Sequence, residues 1–116
     1  MRAKPLLQRF MRENLSVEVN IATSRRRPQP VRNLSAVKSA TQPQVTISWT
    51  GPQSMSGIVG FNVYQNNENN RIQNIANPLT LFTIIALAAT GSKVAFFVSA
   101  YTALLESIKT QVIVQT

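Results

Sequence analysis

Three stretches of this chain alternate with a period of two, and that pattern limits the fold more than any other feature. Val45, Ile47 and Trp49 alternate with Thr46 and Ser48. Phe61 and Val63 alternate with Asn62 and Tyr64, and Val94, Phe96, Val98 and Ala100 make a third run. An extended strand turns successive side chains to opposite faces, so such a run buries one face and leaves the other outside. Gly, Pro and Asn clusters separate the runs, as expected of an antiparallel sandwich.

Read through, residues 33–116 predict seven strands: Leu34–Ala40, Gln44–Thr50, Ile58–Asn66, Arg71–Ile75, Thr80–Leu87, Lys93–Thr102 and Ile108–Gln115. Asn66-Asn67-Glu68-Asn69-Asn70 is a turn by composition, and Asn77-Pro78 breaks the chain after the fourth strand. A domain of about 85 residues buries roughly 60–65% of its unfolded surface, enough to fold without staples. With no Cys, neither a disulfide framework nor a thiolate metal site is available.

The net charge of +8 is unevenly placed. Residues 1–32 hold eight Lys and Arg against Glu13 and Glu18, a net +6. Residues 33–116 hold Lys38, Arg71, Lys93 and Lys109 against Glu68 and Glu106, a net +2. The chain thus divides into a basic N-terminal arm, residues 1–29, and a sandwich, residues 30–116. A sandwich so poor in charge fits a protein that packs against neighbours, since solubility of a free monomer is usually carried by surface charge.

Within the arm, Leu6, Leu7, Phe10 and Met11 have helical spacing after Pro5, which suits a first helical turn. Leu15, Val17, Val19 and Ile21 alternate with Ser16, Glu18 and Asn20, a strand signal. Residues 22–30, with Arg25, Arg26 and Arg27 before Pro28, read as a linker. Met1-Arg2-Ala3-Lys4 is followed by too short an apolar run for a secretory signal, and no segment approaches bilayer-spanning length.

From Pro30 onward the chain resembles a fibronectin type III domain. The resemblance is carried by Pro30 and Leu34, VTISWTGP around Trp49, GIVGFNVY around Phe61, LFTIIAL ending at Leu87, VAFFVSA around Phe96, and the closing VIVQT. It implies an all-β, seven-stranded antiparallel immunoglobulin-like sandwich. The sequence departs from the family at Val94, where an aromatic residue of the tyrosine corner is usual, and in the loop from Leu87 to that position, which is one residue longer than usual and lacks the usual Pro. The integrin-binding tripeptide of some members is absent between Thr102 and Ser107. Such modules occur in animal adhesion proteins, bacterial secreted enzymes and tailed-bacteriophage virion proteins; a single copy behind a short basic arm resembles the last.

The chain has no His, Cys or Asp and only four Glu. General acid–base pairs, nucleophilic triads and transition-metal sites all need residue types it lacks. The expectation is therefore no enzyme, no cofactor and no metal.

Interaction residues are the alternative. Arg25, Arg26 and Arg27, with Arg32, suit an acidic protein surface or phosphate, the bland reading being a solvated linker. No aromatic residue is interleaved, so nucleic-acid binding is the weaker partner reading. Tyr64 and Phe97 point opposite to Val63 and Phe96, onto the outer face of one sheet, where two aromatics amid little charge suit a contact patch as well as ordinary surface scatter. Leu104 and Leu105, in the last loop, either cover the end of the core or insert into a partner.

These residues lead to the expectation of a structural protein of a tailed-phage virion: a capsid decoration, neck or tail component. It would meet other virion proteins in many copies, with Leu15–Ile21 added to a neighbour's sheet edge. The rival is an extracellular or cell-surface adhesion module that binds host carbohydrate or protein through loops or the outer sheet face.

Overall fold

The computed structural model describes residues 27–116. The predicted arm helix and the strand over Leu15–Ile21 lie outside them. The described chain forms seven strands: β1 Arg32–Lys38, β2 Gln44–Thr50, β3 Gly60–Gln65, β4 Arg71–Ile75, β5 Phe82–Ala86, β6 Lys93–Tyr101 and β7 Thr110–Gln115. Every paired neighbour is antiparallel, in a three-stranded sheet ordered β1-β2-β5 and a four-stranded sheet ordered β4-β3-β6-β7.

The alternating runs explain why the sheets meet face to face. Val45, Ile47 and Trp49 of β2 turn inward with Ile85 of β5. Phe61 and Val63 of β3 and Val94, Phe96, Val98 and Ala100 of β6 meet them from the other sheet. The Trp49 and Phe61 rings lie 5.4 Å apart, tilted at 59°. Aromatic pairs favour tilted contacts of this kind over stacked sandwiches. Val94 fills a core position, which accommodates a β-branched residue where the resemblance leads one to expect an aromatic. The loop before it turns at Gly91, whose φ of 93° suits glycine.

β2 and β4 have the predicted bounds, and the other strands end where local bonds take the backbone over. β1 stops at Lys38 because the Ser39 hydroxyl accepts the Thr41 and Gln42 amides, closing the turn before β2. β3 starts at Gly60 rather than Ile58, because the Ile58 amide is bonded to the Met55 carbonyl in a turn. It ends before Asn66, whose φ of 71° is left-handed. β5 starts late because the Asn77 side chain and carbonyl accept the Leu79 and Thr80 amides.

Gly60 sits under the end of β4. A Cβ there would lie 2.0 Å from the Ile75 carbonyl oxygen, so only glycine allows this approach. The Trp49 indole nitrogen is buried with no hydrogen-bond partner among the described residues.

Two stability outcomes follow, both read from thermal or denaturant melts. Trp49→Ala should cost about 3–5 kcal/mol through the cavity it leaves, whereas Trp49→Phe should cost less, because the lost indole N–H gives up no hydrogen bond. Gly60→Ala should lower the melting temperature by moving β4 off β3; an unchanged melt would contradict this close approach.

Candidate interaction surfaces

The outer face of the four-stranded sheet follows from strand parity. Phe61 and Val63 point inward, so Asn62 and Tyr64 point outward, paired with Ser99 and Phe97 of β6. Asn74 of β4 lies opposite Asn62, and Gln111 of β7 opposite Phe97. The face is far from open. Tyr64 keeps 7% and Phe97 8% of its surface, and Asn62 and Ser99 are buried as well. Both aromatics lie on the outer face but offer a partner little area.

Much of the cover comes from Glu106, and an extra residue puts it there. Val98 pairs with Thr110, but Tyr101 faces Glu106, so the returning chain gains one residue between them. A one-residue insertion reverses which way the following side chains point. It is absorbed at Ser107, whose hydroxyl accepts the Ala100 amide at 3.0 Å and donates to the Ile108 carbonyl at 2.9 Å. Glu106 consequently lies on the same face as Tyr64 and Ser99.

Its Oε2 accepts hydrogen bonds from the Tyr64 and Ser99 hydroxyls and, at 2.9 Å, from the Asn62 amide. Asn62 in turn accepts the Asn74 amide at 2.8 Å, which extends the network to the edge strand. Lys109 Nζ stands 4.4 Å from the centre of the Tyr64 ring, within cation–π range. Burial acts to raise the Glu106 pKa, but the bonds from Ser99, Tyr64 and Asn62 and the charge of Lys109 outweigh it and hold the carboxyl below its ordinary value. For Tyr64, burial, then the bond to Glu106 and its charge, push the phenol up to about 12. An ionised acceptor with a neutral phenol is a structural clasp rather than an acid–base pair.

The clasp leaves the last loop as a tight turn. The Thr102 hydroxyl accepts the Leu104 and Leu105 amides, and the Thr102 amide is bonded to the Leu105 carbonyl. Leu104 is 65% exposed at the tip, while Leu105 is half-buried. The two adjacent leucines thus divide, one presented to solvent and one turned against the protein.

The outer face of the three-stranded sheet differs. Ser35 lies opposite Ser48, and Ser48 opposite Phe82; Val37 lies opposite Thr46, and Thr46 opposite Ile84. These six side chains carry no charge. Val37, Phe82 and Ile84 are 63%, 57% and 53% exposed. Sequence reading missed this face because the β5 stretch, Leu81 to Leu87, is apolar nearly throughout, so its inward and outward members cannot be separated by polarity.

Of the arm residues, Leu15, Val17, Val19, Ile21, Arg25 and Arg26 lie outside the described residues, and Arg27 is exposed. Arg32 is occupied, its Nε donating to the Gly51 carbonyl at 3.0 Å.

Solved structures with the same architecture include a fibronectin type III-like protein from Clostridium thermocellum, 22% identical, with a TM-score of 0.60, covering 78% of this chain and 94% of that one. The extracellular domains d3–d4 of rat CD45 align at 12% identity and a TM-score of 0.64, over 78% of this chain and 51% of theirs. The Clostridium perfringens spore cortex lytic enzyme SleM aligns at 19% identity and a TM-score of 0.64, over 77% of this chain but only 28% of the enzyme. The chain therefore spans about half or less of the latter two. Neither a family model nor a curated protein matches the sequence. The fold is fibronectin type III-like.

The clasp has a pH signature. A carboxyl that titrates lower folded than unfolded adds stability above its ordinary pKa of 4.5, and that stability is lost as pH falls through the lower folded value. Tyr64 acts in the opposite range: its contribution holds below 10.0 and is lost as pH rises through about 12. Glu106→Ala should cost about 1–3 kcal/mol at neutral pH by leaving buried donors without an acceptor. Glu106→Gln should flatten the acid limb of the melting profile; an acid limb identical to wild type would show that the carboxylate is not what titrates.

Proposed function

We propose that this chain is a non-enzymatic structural component of a tailed-phage virion, a capsid decoration, neck or tail protein held in a multi-copy assembly by its N-terminal arm. The observation that carries the reading is the uncharged outer face of the three-stranded sheet, with Phe82 and Ile84 exposed along β5 and Val37 on β1. Exposed large apolar side chains with no charge among them suit a contact with another macromolecule. The rest of the surface agrees: the sandwich is nearly neutral, and the charge is concentrated in the arm. The non-enzymatic part of the reading is supported by composition, since the chain has no His, Cys or Asp, and by the commitment of the Glu106 carboxylate to hydrogen bonds. The similar structures include a spore cortex lytic enzyme, matched over part of its length, as well as extracellular domains of rat CD45, so the sandwich alone does not choose among roles.

The adhesion reading draws on one feature, the exposed Leu104 at the loop tip. The readings separate by where binding resides. Deleting residues 1–29 should abolish incorporation into particles while the sandwich keeps its β circular dichroism and its melt. Replacing Arg25, Arg26 and Arg27 by Gln should weaken incorporation and reduce its salt dependence, because exposed charge attraction is screened over about 8 Å at physiological ionic strength. Leu104→Ser should matter less. If the truncated chain incorporates as well as the full one, arm anchoring is wrong; if Leu104→Ser alone removes host-cell binding, the adhesion reading replaces it.

A further inference from the structure

Sheet edges present N–H and C=O groups to any strand that reaches them, and proteins guard them with bulges, charges, prolines or covering segments. The four edges here are unequally guarded. β1 has a register shift between Arg32 and Ser35, Asn33 at a φ of 52°, and a cation at each end. β4 begins at Arg71 and lies across a shift at Val63–Tyr64. β7 has the approach to β1 beside it, the Thr110 hydroxyl donating to the Val31 carbonyl at 3.0 Å.

β5 has no such guard. Its register with β2 runs unbroken from Gln44–Ala86 to Ser48–Phe82, and its five residues include no charge and no proline. The Trp49 amide is bonded to the Leu81 carbonyl and the Leu87 amide to the Pro43 carbonyl. Odd-numbered residues therefore bond toward β2, and Phe82, Ile84 and Ala86 turn their N–H and C=O groups to the open side. The most exposed apolar side chains of the strand belong to these same residues.

The arm's sequence carries a matching alternation. Leu15, Val17, Val19 and Ile21 are apolar on one side and Ser16, Glu18 and Asn20 polar on the other, a pattern that needs a sheet to join. We infer that Leu15–Ile21 of one copy adds antiparallel to β5 of a second copy, with Leu15 opposite Ala86, Val17 opposite Ile84 and Val19 opposite Phe82. The inference rests on the arm-anchoring reading and names the acceptor as this chain itself. Main-chain bonds supply affinity in such strand addition, and alternate side chains supply register. In this register the apolar side chains join Phe82 and Ile84 on the outer face. Ser16, Glu18 and Asn20 fall on the side where the Thr83 hydroxyl bonds Gln73 at 2.6 Å.

The acceptor is a second copy rather than the same chain because of the linker. Arg25, Arg26, Arg27 and Arg32 follow the strand, with no carboxylate between Glu18 and Glu68. Doubling back over the end of its own sheet would crowd these guanidinium groups, whereas Pro28 and Pro30 favour an extended path. Residues 22–31 fully extended span about 33 Å, enough to reach a neighbouring domain. Donor and acceptor patches differ, so the contact is head-to-tail and propagates into a ring or a filament.

The chain has no Cys, so cross-linking can be made specific. Val17→Cys and Ile84→Cys are placed in separate full-length chains, which are mixed and treated with a short bifunctional thiol reagent. A heterodimer should form in the mixture and with neither chain alone. Ile84→Lys, on an exposed side chain and with its melt checked, should convert the oligomer to monomer in sedimentation. Cross-linking confined to a single chain carrying both cysteines would mean closure by its own arm and overturn the inference. Self-cross-linking of Ile84→Cys would mean β5 pairs with β5 and overturn it equally, as would no cross-link. In that last case, loss of incorporation on deleting residues 1–29 would still support arm anchoring, with a different chain as acceptor.

Discussion

Neither sheet can exist without the other, because each has only one apolar face and that face must be covered. The three-stranded sheet contributes Val45, Ile47, Trp49 and Ile85, and the four-stranded sheet Phe61, Val63, Phe96 and Val98. Each large side chain removed from water stabilises the sandwich by about 1.5–3 kcal/mol before the entropy of ordering is set against it. This shared interior decides where everything else can be. Once Phe61, Val63, Phe96 and Val98 point inward, Asn62, Tyr64, Phe97 and Ser99 have no choice of face. The outward positions of Val37, Phe82 and Ile84 follow in the same way from β1 and β5.

The two outer faces then take opposite courses. One is covered around Tyr64 and Ser99 by the chain's own last loop, through a carboxylate that accepts three hydrogen bonds and a lysine over an aromatic ring, while Ile113 of β7 stays exposed. The other is left uncovered, beside an edge with its backbone groups turned outward. The two faces thus differ in what covers their middle, a polar network on one and uncharged side chains on the other.

Much of this was legible in the sequence. Three alternating runs, with the breaks between apolar stretches, located all seven strands, and β2 and β4 to the residue, because their ends coincide with Pro, Gly or Asn clusters. The strand ends that moved did so for reasons no period reveals: a Ser39 hydroxyl that captures two amides, a turn that takes Ile58, an Asn66 in left-handed conformation. Alternation also put Tyr64 and Phe97 on the outer face, but it could not show that they are covered. The cover of Tyr64 depends on Glu106, forty-two residues beyond it, and on a register change within a hairpin. In the sequence Glu106 is simply one of four glutamates. The arm is a different matter, since its pattern is clear but residues 1–26 lie outside those the structure describes.

The extra residue between Glu106 and Thr110 has a consequence for how this loop can vary over evolutionary time. The tip around Leu104 faces solvent and can lengthen or shorten with little effect on what lies beneath it. The return leg has no such latitude. Straightening the bulge there without changing the count would turn the carboxylate toward an interior that cannot hydrate it and strip the acceptor from three donors at once. Natural variants of this loop should therefore differ in length before Glu106 and, after it, keep either the bulge or a leg one residue shorter, so that the hairpin behaves as a variable cap on a stem of fixed facing.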